Sequence, residues 1–164
     1  HDSLNNDLRK IYHLYFILEL VDKTSGFDDP IDTLFKMLLA GIEVLANSLH
    51  PDHFTVFFLI HLLRLHGILP SLDTCKSCGS HTFDSFYLDI NDLHIVCNAC
   101  QKHKHSFSRD IKLFLEESMR KKFQSIDLDR YDNESMKRLI YLMTIFYEHY
   151  FNIKINSSKF LQMN

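Results

Sequence analysis

Four cysteines constrain this chain more than any of its other residues. Cys75-Lys76-Ser77-Cys78 is followed, after eighteen intervening residues, by Cys97-Asn98-Ala99-Cys100, and the sequence has no further thiol. A CxxC turn aims two sulfurs at one point, and two such turns offer four thiolates at the corners of a tetrahedron. Zn²⁺ prefers that arrangement, because it has no d-electron geometry of its own and bonds sulfur at about 2.3 Å. The spacing C-x2-C-x18-C-x2-C falls within the range of zinc ribbons and knuckles. Two disulfides would suit a secreted chain, and free redox thiols are the other alternative, although a redox CxxC usually comes singly and opens a helix. Zinc is the favoured reading, with Cys75, Cys78, Cys97 and Cys100 as ligands. Four sulfurs close the coordination sphere, so such a zinc is structural and leaves no position for an activated water.

The remainder reads as helix. Of 164 residues only 4 are Gly and 3 Pro, while 14 Phe and 7 Tyr promise an aromatic core. No run of 18 apolar residues implies a membrane span, and the N-terminus lacks a signal-peptide pattern. The chain starts at His1 rather than Met, which suggests a fragment of something longer. Paired CxxC thiols without other cysteines fit the reducing cytosol. The net charge of −3 is uneven: residues 1–74 hold five Lys/Arg against ten Asp/Glu, and residues 75–164 hold thirteen against eleven. Any nucleic-acid contact must therefore come from a local patch.

Along the chain, Leu8, Ile11, Tyr12, Tyr15, Leu18 and Val21 predict one face of a helix over 6–22. Asp29 as N-cap and Pro30 at the first helical position predict a second helix to about Leu49, with Ile31, Leu34, Leu38, Val44 and Leu45 as its apolar content. Gly41 in its middle costs roughly 1 kcal/mol relative to Ala, which predicts a close helix contact there. A third helix, about Asp52 to His66, is apolar nearly all round and reads as central and buried. Gly67 stops it. Its His61, Arg64 and His66 are read as satisfied by neighbouring carbonyls rather than functional.

Thr82–Asp89 and His94–Val96 read as a hairpin turning at Asn91-Asp92, with a knuckle at each end. His81, His94, His103 and His105 are not needed as ligands beside four cysteines. Ser108 is an expected N-cap for a helix containing Ile111, Phe114, Met119 and Phe123. The Asp-rich stretch Ser125–Asn133 lacks the central Gly and terminal Glu of a calcium loop. A last long helix runs from about Glu134 to Phe151, and the tail with Phe160 and Leu161 is expected to fold back on the bundle. The fold class is mainly α: a helical bundle over 1–70 and 103–164, interrupted by a small four-cysteine zinc-finger β-hairpin insert over 71–102.

Phosphate-binding glycine loops, HExxH and GxSxG are absent from the sequence. With no carboxylate pair or Cys/His couple standing out, an enzyme is not expected. The functional-looking surface is basic: Lys102, Lys104, Arg109, Lys112, Arg120, Lys121 and Lys122 stand against three acids between 101 and 122. Such a patch suits phosphates or an acidic peptide. A solvated helix face is the plainer alternative, and Arg120-Lys121-Lys122 sit at a helix C-terminus, which favours cations regardless of function.

The order of elements resembles the C-terminal region of the bacterial RecO recombination mediator family. The resemblance covers nearly the whole chain. It rests on Phe16-Ile17-Leu18-Glu19-Leu20, on the run Leu62 to Asp73 leading into Cys75-x-x-Cys78-Gly79, and on a close with Tyr147, Tyr150 and Ser157-Ser158-Lys159-Phe160-Leu161. Family members often carry glycines before the second CxxC where this chain has Asp92-Leu93-His94. Some lack the cysteines altogether, in keeping with a structural metal.

The resemblance implies a helical domain with a zinc finger, following an N-terminal OB-fold domain that is absent from this chain. It implies a non-enzymatic, cytoplasmic, nucleoid-associated mediator of recombinational DNA repair. Its expected partners are the acidic, Phe-ended tail of single-stranded-DNA-binding protein, RecR, and single- and double-stranded DNA, the last mainly through the OB-fold. With RecR such a protein supports RecA loading and strand annealing. The alternative is a zinc-ribbon nucleic-acid-binding adaptor in transcription or RNA metabolism. That reading wants cations on the hairpin, yet residues 82–96 hold three Asp and neither Lys nor Arg.

Overall fold

A computed structural model describes residues 2–26, 30–68 and 70–161, with side chains from residue 8 onward. The expected N-cap Asp29 lies outside the described residues. The helices are α1 (Asp2–Thr24), α2 (Ile31–Asn47), α3 (Pro51–Leu65), α4 (Arg109–Arg120), α5 (Asn133–Tyr150) and the short α6 (Ser158–Leu161). Three strands, β1 (Ser85–Asp89), β2 (His94–Cys97) and β3 (Phe107–Ser108), lie between α3 and α4.

The third helix is the axis of the bundle. Pro51 opens α3 with its fixed φ, and eleven of its fifteen residues are buried. It packs against α1, α2, α4 and α5, as its all-round apolar sequence predicts. Its end is a Schellman turn: Gly67 takes φ +74°, its N–H bonds Arg64 O, and the Ile68 N–H bonds Leu63 O at 2.9 Å. At Gly41 α2 comes close to α3, since a Cβ there would stand 3.2 Å from the Phe58 ring. His61 bonds Ser118 O, Arg64 donates to Met119 O, and His66 meets the Thr24 hydroxyl. His61 and Arg64 thus meet carbonyls as expected, and His66 meets a hydroxyl instead.

The first helix turns inward only part of the face its periodicity suggested: Val21 is buried and Tyr12 half-buried. Leu8, Ile11, Tyr15 and Leu18 are exposed, whereas His13, Phe16, Ile17, Leu20 and Thr24 are buried. The segment is apolar on two sides, and the polar His13 and Thr24 disguise the core face. His13 is satisfied there by Thr55 Oγ1 at 2.7 Å and Asp52 Oδ1 at 3.2 Å; Arg9 grips the other carboxylate oxygen of Asp52 at 2.5 Å. Ile31, expected inside, is likewise exposed, and Leu34, Gly41 and Leu45 form the buried line of α2.

The hairpin grows into a three-stranded antiparallel sheet of order β2-β1-β3. Its third strand lies beyond residue 102, with Phe86 opposite Phe107, so sheet and bundle are stitched together rather than merely adjoining. Phe86, Leu88, Ile95 and Phe107 join the main hydrophobic core. Val96 forms a second, small cluster with Cys75 and Cys97, against which Phe83 and Tyr87 pack. Met119 falls inside α4 as expected, but Phe123 opens a separate 3-10 turn, Phe123–Ser125. Asp132 caps α5, accepting from Ser135 N at 2.7 Å.

The tail folds back. Phe160 stacks on Tyr12 with ring centroids 5.4 Å apart. Glu19 receives the Asn156 N–H at 2.9 Å, the Ser157 N–H at 2.7 Å and the Ser157 hydroxyl. No helix among the described residues is long and apolar enough to cross a membrane.

Candidate metal centre and cationic surface

Two turns deliver the cysteines. In the first, the Gly79 N–H bonds Cys75 O at 2.8 Å, with Gly79 at φ +72°, and the Lys76 N–H reaches across to Ile95 O. In the second, the N–H groups of Cys100 and Gln101 both bond Cys97 O. The tip joining β1 to β2 holds Leu93 at φ +55° with its side chain buried. Burial of the leucine offsets a left-handed backbone that costs an L-residue roughly 1–2 kcal/mol.

The four Sγ atoms lie within 4.8 Å of one another. Cys75 and Cys100 are 3.8 Å apart, and Cys78 and Cys97 are 3.9 Å apart. A tetrahedron of sulfurs about 2.3 Å from its centre has edges of roughly 3.8 Å, while a disulfide needs about 2.05 Å. All four cysteines are free thiols, and they are positioned to hold a metal ion. Among the described residues no other group of three or more His, Cys, Asp or Glu converges in this way.

Electrostatics agrees with the geometry. Burial raises the Cys75 thiol, but backbone N–H groups of Cys97, Cys78 and Ser77 outweigh that and bring it down to about 6. The Cys100 thiol, crowded by the sulfurs of Cys78 and Cys97, is pushed up to about 12. The cluster therefore accepts a first negative charge readily and resists more, a situation that a central divalent cation reverses.

The run of cations does not fold into one patch. Lys112 is buried, pairs with Glu116 and lies over the Phe83 ring. Lys121 pairs with Glu117, and Arg120 stands 3.7 Å from Asp73. Lys102, Lys104, Arg109 and Lys122 are exposed. Lys102 and Lys104 flank His103, whose ring stacks on Tyr87 at 4.7 Å. Two of the hairpin's three acids, Asp89 and Asp92, both bind Lys76, while Asp84 is exposed.

A cleft of about 600 Å³ between the sheet and α5 was not visible in the sequence. Tyr87, Leu88, His103, Arg138 and Tyr141 are among its lining residues. The available signal was Tyr141, an aromatic out of phase with the buried stripe of α5 and 54% exposed.

Comparison with known proteins places this geometry in context. The family model described as "Recombination protein O C terminal" matches residues 5–159. A protein of Pelobacter propionicus named DNA repair protein RecO is 32% identical over 103 residues, covering 63% of this chain and 42% of that protein. The Bacillus subtilis protein of the same name is 26% identical over 164 residues, covering 97% of this chain and 63% of its own length. The chain thus spans less than two thirds of the length of these relatives.

Proposed function

The chain belongs to the recombination protein O C-terminal family, and from that premise we propose that it is a non-enzymatic module of recombinational DNA repair. In this reading it docks single-stranded-DNA-binding protein and RecR, contacts DNA through its free cations, and supports RecA loading and strand annealing. An N-terminal OB-fold domain, as the resemblance implies, completes the whole protein and carries most of the DNA binding. Residues 1–70 and 103–164 are the helical domain, and 71–102 the zinc-finger insert.

The observation that carries the reading is the family match over residues 5–159. The metal centre supports it in a structural role: Cys75, Cys78, Cys97 and Cys100 would hold Zn²⁺ in a closed all-sulfur set, fixing both ends of the hairpin. Two adjoining hollows between α2 and α3 support peptide docking. They share Ala40, Val44, Phe123 and Gln124, and Phe54, Phe57 and Phe58 add aromatic surface beside Lys122. An apolar hollow with Lys122 at its edge suits a peptide that is greasy at one end and anionic nearby, although Glu43 also lines one of the two hollows.

The test is a titration with labelled single-stranded DNA and with the acidic C-terminal peptide of single-stranded-DNA-binding protein, each at two salt concentrations. Binding of the peptide, with salt-sensitive and weaker DNA binding, is the expected outcome. If the chain binds neither, the proposed docking role is lost and the helices and zinc are scaffold only.

A further inference from the structure

The cleft between the sheet and α5 has a specific chemistry. Its walls are largely apolar and aromatic, contributed by Tyr87, Leu88 and Ile90 on one side and Tyr141 and Leu142 on the other. Tyr87 and His103 already stack at 4.7 Å with their planes 23° apart, and Tyr87 is fixed further by a 2.7 Å hydrogen bond from its hydroxyl to Gln101. Arg138 is held by Ser106 O at 3.0 Å and by the Phe107 face at 4.5 Å, so its charge is fixed in the wall. Lys102 and Lys104, on either side of His103 in sequence, are exposed and have no ion pair among the described residues. The single carboxylate in the lining, Asp89, is neutralised by Lys76 and bonded by Asn91.

Two planar surfaces, Tyr87–His103 and Tyr141, thus line an apolar cleft whose wall holds Arg138, and His103 of that wall is flanked in sequence by the exposed Lys102 and Lys104. The geometry points to a site for single-stranded nucleic acid, in which one base enters the cleft and stacks while Lys102 and Lys104 meet the flanking phosphates. This deepens, and rests on, the DNA-contact part of the proposed function. Aromatic faces beside a cationic track are the general solution to binding a single strand without reading its sequence. A peptide added as a strand fits less well. Beyond the Phe86–Phe107 pair only Tyr87–Asp89 of β1 lack a β3 partner, too short an edge for strand addition. The volume is ample for one nucleotide and falls within the range of ordinary ligand sites.

The test compares the zinc-loaded chain with labelled oligo-dT and with an abasic deoxyribose-phosphate oligomer of the same length, by fluorescence anisotropy at low salt. Oligo-dT should bind at least about fivefold more tightly than the abasic oligomer. Tyr141→Ala should weaken oligo-dT binding by roughly five- to a hundredfold and leave abasic binding unchanged. Because Tyr141 is exposed, this variant should keep its circular dichroism and zinc content; His103→Ala serves as a second probe of the opposite wall. Lys102→Gln with Lys104→Gln should weaken both ligands and reduce the salt slope by about 1.4, or about 0.7 per phosphate.

Equal affinity for the two oligomers, or an unchanged Tyr141→Ala, would overturn the cleft while leaving the cationic contact of the proposed function standing. Failure to bind either oligomer would remove the cleft and the DNA contact together and leave only partner docking. If an acidic peptide binds and is lost in Tyr141→Ala while oligo-dT does not bind, the cleft is a protein site and the inference is wrong.

Discussion

Replacing Asp52 by Asn should be among the most damaging isosteric changes available in this protein. Asp52 lies in the first turn of α3, where a carboxylate is favoured by the helix dipole. Its side chain is only 3% exposed, and it accepts from Arg9 at 2.5 Å and meets His13 at 3.2 Å. Burial opposes its charge most strongly, yet the contacts with His13 and the positive charge of Arg9 hold the carboxyl below its usual range. An amide keeps the volume and loses the charge. His13, itself buried, then faces a group that attracts it less, and Arg9 loses its counter-ion. Breaking a buried pair typically costs about 3–5 kcal/mol. Because Arg9 is 31% exposed and can regain water, we expect about 2–4 kcal/mol here. At about 2–4 °C per kcal/mol for a chain of this size, the midpoint should fall by roughly 4–16 °C. Thermal unfolding followed by circular dichroism at neutral pH measures it. A fall of under about 2 °C would refute the idea that this ionic cluster clamps α1 onto α3.

Glu19→Gln tests the latch on the tail: burial raises this carboxyl, but bonds from Lys23, Ser157 and Asn156 bring it to about 2 from 4.5. Its contribution is therefore full above pH 4.5 and drains as pH falls toward 2. That shift is worth about 3 kcal/mol at most, and on the order of 1–2 after solvent screening. The gap between native and variant melting curves should close in acid, and a gap constant from pH 7 to pH 3 would refute this. Cys75→Ser, or removal of zinc by a chelator, should release the metal and loosen the hairpin while most helical circular dichroism persists. Complete loss of the helical signal would show instead that the metal is needed by the whole core. Gly41→Val should lower stability by about 1–3 kcal/mol through overpacking against Phe58, read as a lower denaturant midpoint, whereas Gly41→Ala should stay within about 1 kcal/mol of neutral because helix propensity offsets the crowding.

The parts of the fold that were legible in the sequence are those specified by one kind of residue acting alone. The cysteine spacing announced the metal centre, Gly67 the end of α3, and the all-round apolar run the central helix. What was hidden depends on partners far away in the chain. The inward face of α1 could not be chosen because both sides are apolar and the buried one contains His13 and Thr24, whose partners Asp52, Thr55 and His66 lie some forty residues on. β3 is two residues long and exists only because β1 is there to pair with it. The cation run could have been sorted further than it was: Lys112–Glu116 and Glu117–Lys121 are four residues apart on one helix, whereas Lys102 and Lys104 precede the helix and have no such partner. The sheet–α5 cleft joins segments from 87 to 142 and has no local signature.

The latch at Glu19 also sets a timetable. Its donors at Asn156 and Ser157 lie 137 and 138 residues downstream, and Tyr12 waits for Phe160. At a ribosomal pace of roughly 5–20 residues per second, α1 emerges about 7–28 seconds before these groups exist. Through that interval Glu19 has only Lys23 and water as partners, and the ring of Tyr12 is uncovered. The segment at 155–161 closes over α1, so that side of the bundle is completed only after this segment has left the ribosome.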